Sequence, residues 1–192
     1  MRRRRAGQVL ALLLAVLGTW QLGAGGYIHA KAWLAQRLLE RAWSEARAGA
    51  GHVKPWPWAD TWPVARLRFP RRHVDLIVLA GATGRTLAFA PGHLSGTPLP
   101  GQAGDSVISG HRDTHFRFLQ YVKVGEPIEV ESTDGSVKRF RVTATRVVNG
   151  TNARLAAGGN TPMLTLVTCY PFDAIVPGGP LRYLVTARAV IR

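Results

Sequence analysis

The first part of the chain carries two different patterns of apolar and polar residues. Residues 6–30 contain no Asp, Glu, Lys or Arg, and Val9–Leu22 is densely apolar. From Ile28 to Arg47 apolar residues recur every three or four positions among charged ones, which predicts an amphipathic helix. The pattern leaves open whether this helix lies against a membrane or packs on the protein's own domain.

From Val64 onward the pattern changes to short β-rich runs. Turn signals such as Thr133-Asp134-Gly135 and Pro177-Gly178-Gly179-Pro180 separate them. Many short strands without alternating helices predict an all-β antiparallel barrel or sandwich, with one short helix over Phe116–Val122. The predicted strands are Val64–Phe69, Val74–Leu79, Asp105–Ser109, Pro127–Ser132, Ser136–Asn149, Met163–Thr168 and Tyr183–Val190.

Between the two patterns lies Gly49–Pro63, which is rich in proline and tryptophan and has no regular period. It predicts a linker or a wrapping arm, with Trp56, Trp58 and Trp62 packed on the domain. Three regions follow: a cytoplasmic tip and membrane anchor (residues 1–30), the amphipathic helix and linker (31–63), and the β-rich domain (64–192).

The membrane anchor is predicted from the uncharged segment and the basic run that precedes it. At about 1.5 Å per residue, residues 6–30 are long enough to cross a bilayer as a helix. The run Arg2 to Arg5 predicts a cytoplasmic N-terminus, with the rest of the chain outside. A cleaved signal peptide is the alternative, because the dense apolar stretch is short. Tyr27 and Trp33, placed as interfacial aromatics, favour the anchor.

Charge and cysteine content narrow the function classes. The formal net charge is +14, but apart from Arg2 to Arg5 the basic residues are scattered. Nucleic-acid grooves cluster them with exposed aromatic residues, so no nucleic-acid partner is predicted. The single cysteine excludes an intramolecular disulfide and a paired-thiolate metal site. Cys169 therefore acts as a free thiol.

Three side chains lie at predicted strand ends and could carry chemistry. Cys169 ends an apolar run just before Tyr170-Pro171, which favours an exposed rim over the buried core that a lone cysteine most often occupies. His111 follows a strand through Gly110 and could activate the thiol. Arg182 begins the last strand, and its guanidinium is a strong donor for an oxyanion.

These segments resemble the sortases, a family of cysteine transpeptidases of Gram-positive surfaces. Thr165-Leu166-Val167-Thr168-Cys169 matches the TLxTC motif, Ser109-Gly110-His111-Arg112 matches the histidine segment, and Arg182 falls at the expected place after the cysteine. The runs FAPGH (89–93), SGHRDTHF (109–116) and CYPF (169–172) resemble the class D-like branch of Gram-negative proteobacteria. One departure is Gly104-Asp105, where the family pattern has Gly-Asn.

The resemblance covers residues 64–192 and implies a closed eight-stranded β-barrel with a Cys169, His111 and Arg182 site. It implies cleavage of an LPxTG-like C-terminal sorting signal on a secreted protein, through a cysteine thioacyl intermediate, and transfer to an amine acceptor. Thr168 and the Tyr170 backbone N–H are the implied substrate contacts, with core packing as the alternative for Thr168. No cofactor is expected, and the domain is expected in the periplasm, anchored in the inner membrane.

Two other classes of function compete with this reading. The spacing of His111 and His115 would suit a metal-dependent hydrolase, but the glutamate of HExxH is missing. A non-enzymatic membrane-tethered binding module would leave Cys169 inert. A calcium-binding role is conceivable for four acidic residues, Glu126, Glu129, Glu131 and Asp134. Alternating strand positions that face solvent explain these acidic residues more simply.

Overall fold

Eight strands form a closed barrel in the order β1-β2-β3-β4-β7-β8-β6-β5. The computed structural model describes residues 2–150, 159–176 and 178–190. The first residue of the predicted anchor and some positions of the predicted barrel domain, among them Pro177 of the predicted turn, lie outside the described residues. The barrel predicted from the family resemblance is confirmed. The strands are β1 Pro63–Phe69, β2 Val74–Ala80, β3 Gly92–His93, β4 Gly104–Ser109, β5 Pro127–Ser132, β6 Val137–Asn149, β7 Pro162–Cys169 and β8 Leu181–Ala189.

The seven strands predicted from the pattern are all present, with ends that differ by at most two residues. The predicted helix after Phe116 is a short 3₁₀ helix, Arg117–Tyr121, and a four-residue helix spans Gly84–Leu87. The pattern missed β3, which is only two residues long and lies between β2 and β4. So short a strand shows no alternation in the sequence.

Alternate residues of each strand point into the barrel, as a strand period of two requires. Leu164 and Leu166 of β7 and Val185 and Ala187 of β8 are buried in the central cluster. Ile108 of β4 joins them, because β4 and β7 run parallel with Ile108 beside Leu166. The odd-numbered residues of β7 therefore lie on the outer face of the barrel.

The register brings the ends of three strands to one edge of the barrel. β4 ends at Ser109 beside Val167 of the parallel strand β7. β8 is antiparallel to β7 and begins at the same edge, with Arg182 opposite Cys169. The sequence motifs for histidine, cysteine and arginine thus come from three neighbouring strands of one edge.

The N-terminal helix, α1, spans Arg2–Glu45, and the chain forms two compact units, one up to Arg37 and one from Leu38 onward. In the second unit, Leu39 and Trp43 of α1 pack with Ile77, Leu79 and Ala90 on the outside of β2 and the segment that follows it. This end of the amphipathic helix therefore packs on its own domain. Within the described residues, no helix combines the length and hydropathy of a membrane span.

The tryptophan-rich arm packs only in part. The Trp56 ring makes an edge contact with Phe89 at 4.8 Å between ring centroids, and Trp62 stacks on His52 at 4.5 Å. Trp58 is 82% exposed, so the prediction that it packs on the domain is wrong. It lies in a turn within the irregular stretch from Pro57 to Asp60 that precedes β1.

The alternation predicts that the acidic residues near β5 face solvent, but two of them do not. Glu126 is buried and pairs with Arg72, whose Nε lies 2.6 Å from a carboxylate oxygen. Glu131 is also buried, between Arg47 at 2.9 Å and Arg68 at 2.6 Å. The solvent-facing prediction is wrong for these two, because arginines from other segments cover them.

Candidate active site

Cys169 is the last residue of β7 and lies on the outer face of the barrel. It is half-buried, and it stands directly opposite Arg182 in the antiparallel pair of β7 and β8. Opposite residues of such a pair carry their side chains on the same face, about 4.5–5.5 Å apart at Cβ. The pairing therefore places Cys169 and Arg182 side by side on one face at the end of the two strands.

The Arg182 guanidinium is held by the loop that precedes β8. Its Nη1 donates to the carbonyls of Gly179 at 2.6 Å and Leu181 at 2.8 Å. Its aliphatic stem runs past Gly150, where an added Cβ would approach Arg182 Cγ at 3.0 Å. Both contacts restrict the side chain, which is half-buried.

His111 continues the line of β4 beyond the end of the strand. The Gly110 N–H donates to the Val167 carbonyl at 3.1 Å, so the parallel ladder between β4 and β7 extends one residue past Ser109. The next residue, His111, is exposed and reaches the level of Cys169 along the neighbouring strand. Thus the structure brings His111, Cys169 and Arg182 to the same edge.

Thr168 points into the barrel and is 2% exposed. Its Oγ1 donates to the Gly110 carbonyl at 2.7 Å, one residue before His111. A buried hydroxyl engaged in this way favours the packing alternative over the predicted substrate contact, which stays a prediction. The Thr168 hydroxyl thus connects the end of β7 to Gly110, the residue before His111.

Tyr170 also differs from the prediction. Its backbone N–H donates to the Leu181 carbonyl at 3.1 Å, so this N–H is engaged between β7 and β8 and is not free to face an oxyanion. The ring is half-buried and packs with Phe172 and Tyr183, each at 6.3 Å between centroids. Its exposed part stays a candidate for substrate contact.

His115 lies one turn after His111 and is half-buried. Burial lowers the pKa of His115, the nearby charge of His111 lowers it further, and a hydrogen bond with the Phe89 backbone opposes both. The two histidines are therefore close enough to influence each other. Across the described positions, no three His, Cys, Asp or Glu side chains are grouped to hold a metal ion.

Sequence reasoning missed Arg112, which follows His111 directly. It is only 9% exposed, and its guanidinium donates to the carbonyls of Pro171 at 2.9 Å and Ala174 at 2.6 Å. Those carbonyls belong to the loop that begins right after Cys169. In the sequence Arg112 stands in a polar, turn-like segment, where exposed arginines are the rule, and nothing there signals its burial.

The arrangement has the parts of an acyl-transfer site. A thiol can act as a nucleophile, an imidazole can take up and return a proton, and a guanidinium can stabilise a developing oxyanion. Cys169 ends β7, Arg182 lies at the start of β8 and His111 follows the end of β4, so all three lie at one edge of the barrel.

Comparison with known proteins agrees with this chemistry. The sortase domain family matches residues 67–190. Sortase D of Bacillus subtilis (strain 168) is 27% identical over 125 residues, which are 65% of this chain and 62% of that protein. The match therefore spans less than two thirds of the length of this relative, and it supports the likeness to class D.

Solved sortase structures are also similar to this chain. Sortase C-1 from Actinomyces oris is 33% identical, with a TM-score of 0.60 over 68% of this chain and 74% of that one. Sortase A from Corynebacterium diphtheriae is 26% identical, with a TM-score of 0.63 over 82% and 85% of the two chains. A Clostridium perfringens sortase D5 transpeptidase, at 20% identity and a TM-score of 0.66 over 82% and 98%, shows the fold alone. With a family match over residues 67–190 that contains all three strand-end residues, the chain belongs to the sortase family.

Proposed function

We propose that the protein is a cysteine transpeptidase that cleaves an LPxTG-like sorting signal at the C-terminus of a secreted protein. The observation that carries the proposal is that Cys169 at the end of β7, Arg182 at the start of β8 and His111 just past the end of β4 lie at one barrel edge. Family membership supports the same chemistry.

In the first half of the reaction, the Cys169 thiolate attacks the carbonyl carbon of the signal's threonine and forms a carbon–sulfur bond. The carbonyl oxygen becomes an oxyanion next to Arg182, whose fixed charge stabilises it. The carbon–nitrogen bond then breaks, and the His111 imidazolium gives its proton to the departing amine nitrogen. The products are a thioester on Cys169 and a free C-terminal fragment.

In the second half, an amine acceptor attacks the thioester carbonyl. The neutral His111 imidazole takes the proton of the attacking amine, and the Cys169 thiolate leaves as the new amide bond forms. When water replaces the amine, the same steps give hydrolysis. The partition between the two outcomes is set by which nucleophile reaches the thioester first.

The proposed location is the inner membrane of a Gram-negative cell, with residues 1–30 as the anchor and the barrel in the periplasm. The support is in the sequence: an uncharged segment follows four consecutive arginines, and the resemblance of residues 89–93, 109–116 and 169–172 is to the Gram-negative class D-like branch. Protease treatment of spheroplasts tests the topology. Removal of the barrel supports it, and survival of the barrel contradicts it.

Turnover of a peptide that contains the sorting motif tests the reaction. Cys169→Ala and His111→Ala are expected to lose activity, whereas Arg182→Lys keeps the charge without the planar fork and should keep a trace, about 10²–10³-fold below wild type. His115→Ala, the matched control for the histidine, should keep most of the activity. If His115→Ala loses activity, zinc restores that activity, and Cys169→Ala stays active, the protein is the metal hydrolase instead. Full activity in all four variants would contradict the assignment of these residues, and absence of turnover by the wild-type protein itself would favour the non-enzymatic binding module.

A further inference from the structure

The guanidinium of Arg112 is buried between two exposed neighbours. His111 and Asp113 on either side face solvent, while Arg112 is 9% exposed. Among the described residues, no carboxylate lies within ion-pair distance of it, and its acceptors are the carbonyls of Pro171 and Ala174. A permanent charge is costly to bury, and an apolar side chain of similar size would fill the same space without that cost. The charge is therefore retained for the two carbonyls it binds.

Those two carbonyls are the ends of one tight turn. The Ala174 N–H donates to the Pro171 carbonyl at 3.4 Å, and Arg112 donates to the same carbonyl through Nη1 at 2.9 Å and to the Ala174 carbonyl through Nη2 at 2.6 Å. The planar fork of an arginine can bind two acceptors at once in a fixed geometry, which a lysine cannot do. One side chain thus holds both ends of the turn that follows Cys169.

Beyond this turn the loop has little apolar packing of its own. Ile175 is 96% exposed and Val176 is 77% exposed. Phe172 packs against the central cluster and holds the start of the turn. Arg112 therefore holds the turn itself, whereas Gly179 and Pro180 near β8 are held separately by Arg182 and by the Gly150 N–H.

We propose that Arg112 is a positioning residue that fixes the loop after Cys169 to the turn carrying His111. The inference rests on the proposed function, because it assigns a role in the reaction of Cys169 and His111. The two residues are joined at the barrel edge by the Thr168 hydroxyl and beyond the edge by the Arg112 guanidinium. Reacting groups that move by about 1 Å lose about 10²-fold in rate, so this second connection matters for turnover.

The test compares Arg112→Met, Arg112→Lys and Arg112→Ala in the full chain. Arg141→Met is the matched control, because Arg141 is exposed and donates to one backbone carbonyl, that of Gly125, at 2.9 Å. With a sorting-motif peptide, we expect Arg112→Met to lose about 10²-fold in kcat with little change in KM. Arg112→Lys should lose less, because its ammonium still reaches one carbonyl. The control should keep wild-type kcat.

Chemical rescue separates positioning from general stability. Guanidinium chloride at tens of millimolar should restore part of the kcat of Arg112→Ala, while sodium chloride at equal concentration should not. A wild-type kcat in Arg112→Met overturns the inference, and so does a loss that follows the melting temperature without rescue. If the wild-type protein itself does not turn over the peptide, the proposed function fails and takes this inference with it. Wild-type turnover with unaffected Arg112 variants contradicts the inference alone.

Discussion

The hydrogen bond from Thr168 to Gly110 can be removed with almost no change of shape. Thr168→Val replaces the hydroxyl by a methyl group in a side chain that is 2% exposed. The Gly110 carbonyl then loses a partner at 2.7 Å in a buried position. Leaving a buried acceptor unsatisfied costs about 1–3 kcal/mol. We therefore expect the free energy of unfolding to fall by about 2 kcal/mol.

The same substitution should also affect the reaction. A carbon atom approaches a carbonyl oxygen only to about 3.3–3.6 Å, so the 2.7 Å contact must open by about 0.6 Å or more. The displaced atom belongs to the residue just before His111. Because a misplacement of about 1 Å costs about 10²-fold in rate, kcat should fall by about tenfold.

Urea unfolding of the full chain and peptide turnover measure the two effects. Thr168→Ser keeps the hydroxyl and should restore kcat. Thr143→Val is the matched control, because the Thr143 hydroxyl donates to the Thr186 carbonyl at 3.2 Å on the exposed surface. It should change stability by less than about 0.5 kcal/mol. If Thr168→Val equals wild type in stability and kcat, the reasoning about this bond is refuted.

Three further predictions concern stability. Burial raises the pKa of Asp105, and a hydrogen bond from Thr165 opposes this shift, so the charged carboxylate destabilises the fold more as pH rises through that pKa. Asp105→Asn should therefore raise the melting temperature at pH 7, and this gain should shrink as pH falls. A difference in melting temperature that does not depend on pH would contradict this. Among the described residues, the buried Ser106 Oγ has no hydrogen-bond partner, so Ser106→Ala should leave the free energy of unfolding equal or higher by about 1 kcal/mol; a clear loss in urea unfolding would contradict this. Leu39 is fully buried against β2, so Leu39→Ala should cost about 2–5 kcal/mol in the same assay, and a cost near zero would show that this packing is not formed.

The strands could be predicted from the sequence because most of them are long enough to alternate. Leu164 and Leu166, for example, alternate with residues of the outer face, and both lie in the core. β3 could not be predicted, because Gly92 and His93 form a strand only through their partners in β2 and β4. Its existence depends on the closed barrel and not on its own residues.

The candidate site could be predicted in its residues but not in its supporting contacts. Cys169, His111 and Arg182 stand at strand ends, and strand ends are visible in the sequence. The burial of Arg112 and of the Thr168 hydroxyl depends on partners about sixty residues away along the chain. Glu131 is covered for the same reason, by Arg47 just after α1 and by Arg68 of β1. A single sequence contains no signal for contacts of this kind.

The measurement that tests the central claim most directly is the mass of the intact protein after mixing with a sorting-motif peptide. We predict a gain equal to the mass of the peptide fragment that ends at its threonine less one molecule of water, as a thioester requires, located on Cys169 by digestion. The adduct should disappear when an amine acceptor is added, as the amide product forms, and Cys169→Ala should gain no mass. Product formation by Cys169→Ala, or cleavage by the wild-type protein through an adduct on another residue, would contradict the account.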